Sequence, residues 1–129
     1  HPYLIPIIEE MNLYLSRDKV ETYKNNGIIE ICPLEYMRGR NFHQSFIILD
    51  EAQNATYEQM KMFATRIGRR SKCVINGDVE QSDLPRNLRG ALEHWLEVLG
   101  DIKGVSIVEL DFSDIIRNDI ISKILSALE

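Results

Sequence analysis

The junction at Phe46-Ile47-Ile48-Leu49-Asp50-Glu51 constrains the fold more than any other stretch of this sequence. Four consecutive apolar residues suit a strand buried on both faces, as in a parallel sheet covered by helices. Such a strand delivers whatever follows it to its carboxyl end, where open α/β sheets bind ligands. Adjacent carboxylates are costly to bury and poor at continuing a strand, so Asp50 and Glu51 begin a loop. One carboxylate there can hold Mg2+ through water while its neighbour polarises an attacking water, the chemistry of nucleoside-triphosphate hydrolysis. The alternative is a solvated strand-to-helix loop, since acids also suit the positive end of a helix.

A second junction of the same kind follows at Cys73-Val74-Ile75-Asn76-Gly77-Asp78-Val79-Glu80-Gln81. Gly77 suits a tight turn at a strand end, and parallel strands would put Asp78 and Gln81 at the same sheet edge as Asp50 and Glu51. Two consecutive strands ending in such loops look like the second and third motifs of superfamily-1-type helicase ATPases. The wider pattern adds Tyr36-Met37-Arg38-Gly39-Arg40, Ala52-Gln53-Asn54, Glu58 to Phe63, Thr65 to Gly68, Asp83-Leu84-Pro85-Arg86 and Asp114-Ile115-Ile116-Arg117. In that order, over nearly the whole chain, it resembles the PhoH-like family of phosphate-starvation-associated P-loop NTPases.

The resemblance implies a RecA-like three-layer α/β fold, a parallel sheet with helices on both faces, and the ligands ATP and Mg2+. It implies Asp50 as the carboxylate that holds Mg2+, through water, and Glu51 as the base that orients water. Gln53 could reach the phosphates or the water, with Asn54 serving the turn. Gln81 resembles a γ-phosphate sensor, whose neutral amide both donates and accepts. Asp78 either holds Mg2+ water or stabilises the turn after Gly77. Arg117 matches the family's terminal pattern and suits an arginine finger from the same or a neighbouring subunit. Arg38, Arg40 and Arg86 are weaker candidates. The Arg69-Arg70-Ser71-Lys72 turn reads as solvated, with nucleic-acid contact as its alternative.

No Gly-x-x-x-x-Gly-Lys phosphate loop occurs among the 129 residues, and the chain begins His1-Pro2. The resemblance therefore makes residues 1–129 the C-terminal portion of an NTPase domain, with the Mg2+ and water half of the site and no turnover expected of this portion alone. Its parent would be a homo-oligomeric ATPase coupled to RNA remodelling. Two other readings stay open: an interaction domain that keeps the fold without nucleotide, and part of a superfamily-1 helicase core.

Composition narrows the classes. A net charge of −5 argues against a general nucleic-acid-binding surface while leaving room for a local basic patch. No apolar run approaches the roughly 18 residues of a membrane span, and no signal peptide is visible, so a cytoplasmic protein is expected. Cys32 and Cys73 fall in apolar runs and read as reduced core thiols. The histidines His1, His43 and His94 show no ligand spacing.

Helices and strands alternate along the chain, which favours a parallel sheet. Leu4, Ile8, Met11 and Leu15 share one helical face. A helix from Arg17 should stop at Asn26-Gly27. Strands are expected at residues 28–31, 46–49, 73–75 and 105–110. Thr56 and Gln59 form a capping box for a helix burying Met60, Phe63, Ala64 and Ile67, ended by Gly68. Leu88, Leu92, Trp95, Leu96 and Leu99 mark another helix, closed by Gly100, and Ile121, Ile124, Leu125 and Leu128 the last.

Overall fold

The computed structural model describes residues 5–129. Helices α1 (Ile5–Tyr14) and α2 (Arg17–Asn25) come first, then strand β1 (Phe46–Leu49), helix α3 (Tyr57–Ala64) and strand β2 (Lys72–Ile75). Helices α4 (Ala91–Leu99) and α5 (Asp119–Leu128) complete the order. Of the expected first-helix stripe, Leu4 lies outside the described residues, while Ile8, Met11 and Leu15 are half-buried.

Local signals set the helix ends. Ser16 accepts from the Lys19 amide at the start of α2. At its end Gly27 takes φ 75°, its amide bonds to Lys24 O, and the Ile28 amide bonds to Tyr23 O. Those two bonds are the Schellman closure that glycine permits. At α3 the Thr56 hydroxyl accepts from the Gln59 amide while the Gln59 side chain accepts from the Thr56 amide, the reciprocal box foreseen in the sequence. Thr65, not Gly68, forms the C-cap of α3, and Ile67 lies beyond it.

β1 and β2 pair in parallel, with Phe46 opposite Lys72 and Leu49 opposite Ile75. Parallel neighbours need a crossover, and α3 supplies it. Beyond the ladder, the Asn76 amide bonds to Leu49 O and the Ala52 amide to Asn76 O, both at 2.9 Å, which carries the pairing into the two loops. At the opposite edge Phe42 bridges Ile67 in parallel, and the Ser71 hydroxyl accepts from the Ser45 amide and donates to Phe42 O.

The core gathers Met37, Leu49, Ala52, Ala55, Met60, Phe63, Ala91 and Leu92. Met60 is wholly buried and Phe63 nearly so, which makes α3 the core's main support. Ile47, Cys73 and Ile75 pack on this cluster from the sheet.

Two sequence expectations change. Among the described residues the sheet has two strands: residues 28–31 and 105–110 are irregular. A strand forms only where another backbone offers ladder groups, however apolar its side chains. After the Schellman closure the chain instead passes through Glu30, which pairs with Arg40 at 2.5 Å, to Pro33, which has no amide to donate. The expectation of β1 buried on both faces also fails. Phe46 is 66% and Ile48 44% exposed, because alternate strand residues point to opposite faces and the core lies against Ile47 and Leu49. The architecture is α/β with a small parallel sheet.

By its contacts the chain falls into two compact units, His1–Glu97 and Val98–Glu129. The first holds the sheet and core. In the second, residues 101–111 are exposed and irregular, and α5 leaves Ile120, Ile121, Ile124, Leu125 and Leu128 exposed. Asn118 caps α5 by accepting from the Ile120 amide.

Candidate functional site

β1 ends at Leu49, so Asp50 and Glu51 open the loop at the carboxyl edge of the sheet; both are half-buried. Glu51 adopts φ 52°, ψ 43°, a left-handed conformation that costs a non-glycine residue about 1–2 kcal/mol. A short 3-10 turn, Ala52–Asn54, follows at once and leads to the Thr56 cap. The Ala52 amide is held by Asn76 O, so the left-handed step is pinned from the β2 side.

Gln53 is the buried polar residue of this turn, 6% exposed. Its side-chain nitrogen donates to Glu51 Oε2, and its side-chain oxygen accepts from the Asp78 amide at 3.0 Å. Its backbone carbonyl accepts from the Ser82 hydroxyl at 3.1 Å. One residue on, Asn54 Oδ1 accepts from the Asp83 amide at 2.7 Å. The Ala52–Asn54 turn and the loop after β2 are thus laced together.

Gly77 makes that approach possible through its small size. Its φ is not left-handed, and a Cβ there would come 2.5 Å from Leu92 Cδ2 and 2.9 Å from Gln53 Oε1. The tight-turn reading of Gly77 gives way to a close-packing one. Next to it, Asp78 accepts from the Glu80 amide at 2.9 Å and from the Gln81 side chain at 3.0 Å, while the Gln81 amide bonds to Asp78 O. Asp78 and Gln81 are both exposed. Glu51, Gln53, Asp78 and Gln81 therefore form one hydrogen-bonded series along the carboxyl edge, with Asp50 beside its first member. Gln53, Val79, Glu80, Gln81, Ser82 and Leu92 contribute to the wall of a cavity of about 60 Å3, room for a few waters.

Arg117 belongs to the second unit and is exposed, directly before the Asn118 cap of α5. A cation at a helix N-terminus meets the positive end of the dipole, so helix stability does not account for it. Arg40 is otherwise engaged: it pairs with Glu30, stacks at 4.9 Å over Phe42 and donates to Cys32 Sγ. Its hydrogen bond holds the Glu30 carboxyl below the usual glutamate range. Arg86 lies in the 3-10 turn Arg86–Leu88. Both cysteines are free and half-buried, and burial pushes the Cys73 thiol up.

Sequence reasoning missed Ser82 and the depth of Gln53. A glutamine two residues past the acidic pair carries no burial signal, and the Ser82 contact spans 29 positions.

The chain is thus an α/β protein in which two hydrogen-bonded acidic loops meet at the carboxyl edge of a small parallel sheet. The family model "PhoH-like protein" matches residues 1–129, and the chain belongs to that family. It is 46% identical over 128 residues to the PhoH-like protein of Bacillus subtilis (strain 168), covering 99% of this chain and 40% of that protein. The PhoH-like protein of Mycobacterium tuberculosis (strain ATCC 25618 / H37Rv) is 44% identical over 126 residues, 98% of this chain and 36% of its own length. Protein PhoH of Escherichia coli (strain K12) is 44% identical over 101 residues, 78% of this chain and 28% of its own. The chain thus spans about 40% or less of the relatives it matches. Among the described residues no helix is long and apolar enough to cross a membrane.

Proposed function

We propose that this chain contributes the metal and water side of an ATP-hydrolysing site in a RecA-like P-loop NTPase, the ATP phosphates being cradled by a glycine-rich loop elsewhere in the protein. The observation that carries the reading is Glu51: a carboxylate at the end of a parallel strand, in a left-handed conformation, with one oxygen held by Gln53. Strained non-glycine backbone gathers at functional sites because the surrounding structure must over-determine it. Among the described residues Glu51 Oε1 has no hydrogen-bond partner, so it is available to accept from a water.

Among the described residues no cluster of three or more His, Cys, Asp or Glu could cage a metal. Mg2+ takes one or two carboxylates together with waters and substrate phosphates, and this edge offers Asp50 and Asp78. Asp50 would hold it through water, with Asp78 as the second oxygen donor at the edge. When bound, Mg2+ neutralises charge on the phosphates and aligns them. Glu51 orients the attacking water and takes its proton; Gln81, an exposed neutral amide, reads the terminal phosphate. Arg117 supplies positive charge to the transferring phosphoryl group from a neighbouring subunit of a homo-oligomer. RNA is the proposed partner of the reaction, supported by the exposed Arg69-Arg70 turn in an otherwise acidic chain.

The test is Mg2+-dependent ATP hydrolysis by the full-length protein and its Glu51→Gln variant. The substitution keeps shape and hydrogen bonding and removes the base, so kcat should fall by about 10² or more while ATP binding survives. Turnover within a few-fold of wild type would remove Glu51 from the reaction.

A further inference from the structure

Gln53 is the most buried polar side chain of the acidic edge, and its two ends face groups of opposite hydrogen-bonding character. The Glu51 carboxylate can only accept and the Asp78 amide can only donate. A side-chain amide satisfies both at once in a single orientation, nitrogen toward Glu51 and oxygen toward Asp78. Neither an ionised carboxylate nor an apolar residue of the same length can do this. Ser82 adds a third tie at the Gln53 carbonyl, and Gly77 leaves the space the side-chain oxygen occupies.

We infer that Gln53 is a positioning residue, whose buried amide orients the Glu51 carboxylate and joins it to the Gly77-Asp78 loop. This rests on the hydrolytic reading of Glu51 above. By holding Oε2, Gln53 leaves Oε1 as the oxygen presented to water and stops the carboxylate from rotating. By holding the Asp78 amide, it sets the loop that carries Asp78 and Gln81 at a fixed distance from that oxygen. Base, metal-side carboxylate and amide sensor are thus registered to one another through one side chain. The side-chain oxygen of Gln53 and one of its N–H groups are used within the protein.

Gln53→Glu in its ionised form separates the two ties, because a carboxylate still accepts from the Asp78 amide but cannot donate to Glu51. In the full-length protein its kcat should fall about 10-fold or more with KM for ATP within about 3-fold, the signature of an interaction that matters in the transition state. In a Glu51→Gln background the same change should cost less than about 2-fold further, since the oriented base is already gone. Gln53→Met, uncharged and of similar length, covers the case in which a second buried carboxylate prevents folding. It should lower kcat similarly and also lower Tm, because the Asp78 amide loses its partner. Wild-type kcat in folded Gln53→Met overturns the inference, as does an equal loss with and without Glu51. Turnover that survives Glu51→Gln alone would instead refute the hydrolytic reading itself.

Discussion

At Glu51 a strained backbone and the proposed chemistry fall on one residue. Its left-handed backbone is unfavourable for any residue with a Cβ, while glycine adopts it without that cost. Subtracting glycine's larger loss of chain entropy from the strain relieved leaves a net gain of about 0.5–1 kcal/mol for glycine over alanine. Glu51→Gly should therefore be more stable than Glu51→Ala by that margin in denaturant unfolding, and both should lack turnover. Equal stability of the two would mean that the left-handed step is not maintained in solution. Arg40 shows the contrasting case, an arginine in a suggestive motif whose charge is spent on Glu30 and whose face covers Phe42.

Among the secondary elements, the two edges of the sheet differ in chemistry. The carboxyl edge carries Asp50, Glu51 and Asp78, while the amino edge brings His43 and Gln44 beside Arg69 and Arg70, with His43 Nδ1 accepting from the Arg69 amide. Helix α4 bears on the acidic edge through Leu92, the side chain nearest to where a Gly77 Cβ would stand. Gly77→Ala should cost about 1–3 kcal/mol, the usual scale of overpacking, because both Leu92 and Gln53 have to yield. It should also lower kcat by displacing the Gln53 amide. Combining it with Leu92→Ala should cost less than the sum of the two single changes, by thermal or chemical unfolding. Strict additivity would show that Leu92 does not crowd this glycine.

At the scale of the whole molecule, Arg117 is the proposed arginine finger. It is exposed, sits where a helix dipole disfavours a cation, and has no ion-pair partner among the described residues. An arginine supplied across a subunit boundary would tie hydrolysis to assembly, since a monomer would hold ATP without completing the charge around the phosphoryl group. Arg117→Ala should abolish turnover and spare nucleotide binding. Mixing it with an Asp50→Ala, Glu51→Ala protein should restore part of the activity, each mutant supplying what the other lacks. No recovery under conditions where mixed oligomers form would place Arg117 in its own subunit's site or outside the reaction.

The sequence alone determined the parts that depend on near neighbours. The capping box of α3, the closure at Asn26-Gly27, the apolar run of β1 and the buried Met60 and Phe63 involve residues a few positions apart, so their signals survive in one dimension. The order of motifs that marks the PhoH-like family was legible for the same reason. Strand pairing was not. Residues 28–31 and 105–110 are as apolar as many strands, yet whether they join a sheet depends on a distant backbone offering its amides and carbonyls. The left-handed step at Glu51 and the burial of Gln53 were equally hidden, because the contacts that hold them, from the Ala52 amide to Asn76 O and from the Asp78 amide to the Gln53 side chain, bridge distant parts of the chain. Local propensity names the groups that could do chemistry; only tertiary packing selects which of them face one another, because that choice is made by contacts whose cost and reward lie far apart in sequence.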